Sequence, residues 1–202
     1  SIRCVELDFA LAKAGLVRVS LNPRLTPREA EFILADADAK AFFHDASFDA
    51  GVVELRPKVP TLATVVRVDA ARTEYEAFIA SGGAQPPGIH FEAEHLYCLF
   101  YTSGTTGRPK GVMLNHRAIL QVSYNLSMET GPWETGEKIL LMQPMSHGAG
   151  FFVLPYVFKG GACVIMAQFD PGEVLRLGQA HAIETIKLIP TMLQRILRVP
   201  GV

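Results

Sequence analysis

"YTSGTTGRPKGV", residues 101–112, follows the apolar run "LYCLF", residues 96–100. The stretch holds three glycines, four hydroxyl side chains after Tyr101, one proline and two basic residues. A packed core has little use for that composition. An anion cradle needs all of it. Glycine lets a backbone turn sharply and approach a ligand closely, and successive amide hydrogens then converge into an anion-binding concavity. The hydroxyls of Thr102, Ser103, Thr105 and Thr106 add donors, while Lys110 and Arg108 offset polyanion charge. The apolar strand before the loop supplies a rigid base. The competing reading is a mobile turn between two strands, with Lys110 merely solvated.

Spacing excludes the two commonest nucleotide loops. The P-loop requires a glycine, four residues and then Gly-Lys-Ser/Thr. Counted from Gly104, Pro109 stands where the second glycine belongs and Gly111 follows Lys110. The dinucleotide fingerprint Gly-x-Gly-x-x-Gly does not occur in the stretch either.

Outward from the loop, strands alternate with helices. Before it, the pattern predicts a helix at 5–14, a strand at 17–21, a helix at 27–36 and strands at 41–44 and 64–68. A short helix from Thr73 follows, with Glu76 completing a capping box. After it come a strand at 112–114, a helix at 116–128, a strand at 138–142 and a helix over 150–159 kinked or started by Pro155. A strand at 162–166, a helix at 171–180, a strand at 185–189 and a helix at 190–198 complete the chain. Such alternation predicts an α/β fold, with mostly parallel sheets flanked by helices.

"SGGAQPPG", residues 81–88, stops any regular element. The expected division is therefore a first α/β unit at 1–80, a linker at 81–92 and a second unit at 93–202. The segments starting at Gly15 and Gly161 share an order: glycine, strand, loop, capped helix, strand. Thr26-Pro27-Arg28-Glu29 and Asp170-Pro171-Gly172-Glu173 open their helices alike, with an oxygen N-cap, a proline and a glutamate at the third helical position. Two related units fit this pattern, and so does a common helix-start choice used twice. If the repeat is real, the first unit lacks its opening strand, and the chain reads as truncated at both ends.

Composition narrows the function. With 49% hydrophobic and 19% charged residues the chain is globular rather than disordered. A net charge of −1 gives no reason to expect nucleic acid or an anionic membrane surface as partner. Cys4, Cys98 and Cys163 lie far apart in apolar contexts, which reads as buried free thiols in a reducing, cytoplasmic setting. Residues 139–158 carry no formal charge over about the length of a membrane helix. Gln143, Pro144, Ser146, His147, Gly148, Gly150 and Pro155 interrupt them, so a strand, a loop and a helix are expected there. His90, Glu92, Glu94 and His95 fit no metal-ligand spacing and read as solvated.

The whole run at 101–112 resembles the signature of the adenylate-forming (AMP-binding) enzymes: acyl-CoA and aryl-CoA synthetases, peptide-synthetase adenylation domains and luciferases. "SLNPRLTPREAEFILADADAKAFF", "QPMSHGAGF" and "IPTMLQRIL" are similar to other segments of that family. The resemblance implies a two-step reaction. A carboxylate attacks the α-phosphate of ATP, releasing pyrophosphate, and the thiol of coenzyme A then takes the acyl group. It implies that Thr102, Ser103, Gly104, Thr105, Thr106, Gly107 and Lys110 bind the β- and γ-phosphates. His147 would lie between the nucleotide and the carboxylate pocket and position the acyl group. The competing reading is that His147 caps the following helix or hydrogen-bonds locally. Phe151, Phe152 and Tyr156 are readable as core or as acyl-pocket lining.

"PMSHGAGF" leans toward an acyl-CoA synthetase of fatty-acid type over an amino-acid activator. The acidic Mg2+ ligand, the ribose-binding aspartate and the C-terminal lysine of the family would lie downstream, so no metal ligand is expected in this chain. The 202 residues read as an internal piece of the large N-terminal domain, inactive alone. A long-chain acid would bring peripheral membrane contact. Two alternatives stay open: a non-catalytic nucleotide- or phosphate-binding module, and a peptide-synthetase adenylation domain.

Overall fold

The computed structural model describes residues 2–68, 74–102, 108–130 and 134–201. Eight helices and eight strands lie among them. They are α1 (Ile2–Lys13), β1 (Arg18–Val19), α2 (Pro27–Asp36), β2 (Ala41–His44), α3 (Asp49–Leu55), β3 (Thr64–Arg67), α4 (Glu74–Ala80), β4 (Leu96–Thr102), β5 (Lys110–Asn115), α5 (His116–Glu129), β6 (Lys138–Leu141), α6 (Val153–Phe158), β7 (Ala162–Ile165), α7 (Pro171–His181), β8 (Thr185–Lys187) and α8 (Pro190–Ile196). Strand pairing is parallel except between β4 and β5. The expected α/β architecture with mostly parallel sheets is therefore present.

Packing divides the chain into two compact units: Asp8–Asn115, and Ser1–Leu7 with His116–Val202. The chain-order division at 81–92 follows glycines and prolines, and that stretch lies within the Asp8–Asn115 unit. Residues 81–95 hold turns and bends but no helix or strand.

In the Asp8–Asn115 unit, α2 starts where its sequence says it must. Thr26 Oγ1 accepts from the Glu29 N–H at 3.3 Å, and the Glu29 carboxylate accepts from the Thr26 N–H at 2.8 Å. That reciprocal cap satisfies two otherwise orphaned donors. Ala30, Ile33 and Leu34 form the helix's buried face, at i, i+3 and i+4. Ala30 and Leu34 pack with Phe42 of β2 and with Leu55, Val59 and Leu62. β2 pairs in parallel with β3, and β1 pairs in parallel with β4. The expected strand at 17–21 shrinks to Arg18–Val19, which pair only with Cys98 and Leu99.

In the other unit, β6 lies between β7 and β8 in a parallel sheet. Ile139, Leu140 and Leu141 are all 0% exposed, because both faces of this strand are covered. Alternation sends them to opposite sides. Ile139 and Leu141 pack with Val153 and Tyr156 of α6. Leu140 and Met142 pack with Val174 of α7 and Ile196 of α8. Asp170 caps α7 through the Glu173 N–H at 2.8 Å, as Thr26 caps α2. The Glu173 carboxylate turns instead to Arg176, at 2.6 and 2.7 Å. The two similar segments also differ in pairing. β7 and β8 flank one strand, whereas β1 and β2 belong to separate sheets.

The apolar stretch at 139–158 resolves into β6, a turn at 145–149, a 3-10 turn at Gly150–Phe152 and α6. Among the described residues no helix is long and apolar enough to cross a membrane. Cys98 is buried and Cys163 half-buried, but Cys4 is exposed on α1. The expectation of a buried thiol fails at Cys4 because α1 contains no buried residue. The capping box expected at Thr73 lies outside the described residues.

Candidate functional site

The hairpin of β4 and β5 carries the loop read as an anion cradle. Its register closes with Thr102 opposite Lys110. Thr102, Arg108 and Lys110 are exposed at that open end. A hydroxyl and a cation therefore stand opposite each other at the last pair of the register, with Arg108 two residues before Lys110, a donor set suited to a polyphosphate. Ser103, Gly104, Thr105, Thr106 and Gly107 lie outside the described residues.

One step back in register, Tyr101 faces Gly111. The phenol ring covers the glycine so closely that a Cβ there would stand 3.0 Å from Cζ of the ring. The Tyr101 hydroxyl donates to Asp36 Oδ2 at 2.6 Å. Asp36 is the last residue of α2. Burial first, and then the neighbouring Asp36 carboxylate, raise the Tyr101 pKa, so it remains a phenol and a donor. The stem of the loop is thus tied to a capped helix. Sequence reading passed over Tyr101 and Asp36. The usable signal was a glycine in a strand, which marks a close approach of another group.

The second sequence-predicted site follows β6. The His147 N–H donates to the Pro144 carbonyl at 3.0 Å, and its own carbonyl accepts from the Gly150 N–H at 3.0 Å. Its ring Nδ1 stands 3.3 Å from Ser146 Oγ, and the side chain is exposed. Tyr156 belongs to the core, whereas Phe151 and Phe152 are half-buried.

Sheet topology gives this turn its setting. The helix after β6 covers one face of the sheet and the helix after β8 covers the other. Neighbouring parallel strands whose exits diverge in this way leave a crevice beyond their carboxyl ends. Lys187, the last residue of β8, pairs in register with Leu141, the last of β6. Its ammonium lies 4.5 Å from the Phe152 ring centroid. A Cβ added to Gly148 would lie 2.5 Å from that nitrogen and 3.8 Å from Gln143 Oε1. Burial lowers the Lys187 pKa. The residue was missed by sequence reading, since a lysine ending a short strand looks like surface.

His90 is exposed, while Glu92, Glu94 and His95 make hydrogen bonds. The Glu92 N–H donates to His95 Nδ1 at 2.8 Å, and Glu94 accepts from Asn115 Nδ2 at 3.1 Å. Among the described residues there is no group of three or more His, Cys, Asp or Glu side chains placed to hold a metal.

A family profile described as AMP-binding enzyme matches residues 1–202. The chain belongs to the AMP-binding enzyme family. Among curated AMP-binding relatives, feruloyl-CoA synthase of Amycolatopsis sp is 32% identical over 194 residues, covering 95% of this chain and 37% of its own length. A medium/long-chain fatty-acid–CoA ligase of Mycobacterium tuberculosis is 29% identical, with coverage of 92% and 34%. The inhibitor-bound N-terminal domain of FACL13 from Mycobacterium tuberculosis superposes with a TM-score of 0.90 at 26% identity, over 99% of this chain and 50% of that one. ATP-bound MatB from Rhodopseudomonas palustris gives 0.84 at 28% identity, over 99% and 39%. The chain thus spans well under half the length of the curated relatives it matches.

Proposed function

We propose that the full-length protein is an ATP-dependent carboxylic acid:CoA ligase. The observation that carries this reading is the family match over the whole chain, joined to relatives that are CoA ligases. The names of those relatives span aryl and alkyl acids, so the reading commits to the reaction and leaves fatty acids as one acid class among several.

In the first step a carboxylate oxygen forms a bond to the α-phosphorus while the bond to the bridging oxygen breaks. Pyrophosphate leaves and an acyl-adenylate remains. In the second, the CoA sulfur attacks the acyl carbon, the thiol proton passes to solvent, and AMP departs. Phosphoryl transfer needs positioning and charge stabilisation more than covalent help. Lys110, Thr102 and the loop residues Ser103, Gly104, Thr105, Thr106 and Gly107 are proposed to hold the departing β- and γ-phosphates. Stabilising charge on the leaving group lowers the barrier directly. His147 is proposed to position the acyl group at the carboxyl end of β6. The Mg2+ that would accompany ATP finds no ligand cluster among the described residues. A cytosolic setting, where ATP and CoA are available, fits the reaction.

The test is acid-dependent exchange of labelled pyrophosphate into ATP by the full-length protein. Exchange with at least one acid in a broad panel, followed by CoA thioester formation, is expected. Lys110→Ala should lower kcat/KM about a hundredfold, the usual scale for one lost charge-stabilising donor. Unchanged kinetics would remove Lys110 from the site.

A further inference from the structure

Lys187 presents a problem that the proposed reaction does not solve. Its ammonium ends β8, stacks on the Phe152 ring at 4.5 Å and occupies the space over Gly148. No carboxylate and no hydrogen-bond acceptor engages it among the described residues. A half-buried cation without a counter-charge is costly to keep, and an aromatic face replaces only a small part of the lost hydration. The lowered pKa, caused by burial, agrees with a cation short of a partner. A Cβ at position 148 would stand 2.5 Å from the nitrogen, so the lysine would have to shift to make room for any residue but glycine. Its place is the carboxyl end of β8, in register with the carboxyl end of β6 and at the same sheet edge as the turn that carries His147, where this topology favours ligand binding.

We propose that Lys187 is a specificity-determining residue that receives a second anionic group on the acid, so the favoured substrates are dicarboxylic acids or acids with an equivalent distal negative charge. The inference rests on the ligase reading above. Reaction chemistry says which end of the acid it takes. The attacking carboxylate gives up negative charge as its oxygen bonds to phosphorus. A cation on that carboxylate would favour the ground state over the transition state and slow the step. A cation on a non-reacting anion binds both states alike, which lowers KM without harming kcat. Gln143 Oε1, which also faces the Gly148 position, would accept a hydrogen bond if that group carries a proton.

The test compares matched acids of equal carbon count, hexanoate with adipate and 4-methylbenzoate with terephthalate, by pyrophosphate exchange in the full-length protein. The wild type should favour each diacid by about tenfold to a hundredfold in kcat/KM, mostly through KM. Lys187→Met should abolish or reverse that preference, chiefly by raising the diacid KM, and Lys187→Arg should keep part of it. A wild type that favours monoacids, with a ratio unmoved by Lys187→Met, overturns the inference while the ligase reading stands. Exchange with no acid at all overturns the ligase reading and this inference with it. The wild-type ratio alone decides the matter if a variant fails to fold.

Discussion

The Tyr101 hydroxyl donates a 2.6 Å hydrogen bond to the Asp36 carboxylate, fixing the residue before Thr102 to the C-terminal end of α2. The hairpin stem is thereby held to a helix whose own N-terminus is doubly capped. On the ligase reading, a loop that meets a phosphate gains from a base that is held in place.

Tyr101→Phe keeps the ring on Gly111 and removes only the hydroxyl. We expect a loss of about 1 kcal/mol in urea unfolding, the usual net value of such a bond. On the ligase reading, the KM for ATP should rise a few-fold with kcat less affected. Asp36→Asn should give a similar loss, and the double variant little more than either alone. A strictly additive cycle would show that the bond contributes nothing.

Gly111→Ala should be worse than its size implies. The new methyl would stand 3.0 Å from the Tyr101 ring, which is itself tied down. A cost of about 1–3 kcal/mol is expected, the range for overpacking. Combining it with Tyr101→Ala should recover part of the loss; no recovery in thermal unfolding would place the strain elsewhere.

Alkaline pH should destabilise the Asp8–Asn115 unit through two tyrosines. Burial, followed by the Asp8 carboxylate, raises Tyr97 above its ordinary 10.0, and burial with Asp36 raises Tyr101. Both are neutral in the folded state where the unfolded chain would ionise. Their contribution is whole below pH 10.0 and is lost progressively above it. Urea midpoints measured across that boundary should fall, and fall less in Tyr97→Phe. An equal fall in that variant would exclude Tyr97 as a source.

The thiols should label in a set order. Cys4 is exposed, Cys98 is buried, and burial pushes the Cys163 thiol up to about 11. Since the thiolate is the nucleophile, iodoacetamide at mildly alkaline pH should modify Cys4 first. Peptide mapping that finds Cys163 modified earlier would contradict its burial beside β6.

Leu141→Ala should cost about 2–5 kcal/mol, because the strand is enclosed on both faces and a cavity there has little room to close. Thr26→Ala removes one helix cap and should cost about 1 kcal/mol. Calorimetry should rank them in that order.

Most elements were legible in the chain, because local rules decide them. The span Pro27–Asp36 follows from its cap and its i, i+3, i+4 apolar positions, and Leu96–Thr102 from an unbroken apolar run. Helix α3 was not foreseen. It is short, and Gly51 within it lowers helix propensity. Packing of Leu55 with Val59 and Leu34 holds it in place, a gain that no local pattern reveals.

Sequence alone determined the α/β alternation, through local periodicity along the chain, and the resemblance of residues 101–112 to the family signature, which implies the candidate phosphate-binding residues. The tertiary structure decided what supports and surrounds them. Tyr101 meets Asp36 across 65 positions of chain, and Lys187 comes to rest over Gly148. These contacts depend on strand register and on which face of a sheet each exit takes. Both are settled by burying apolar surface between distant segments, so they become visible only when those segments meet.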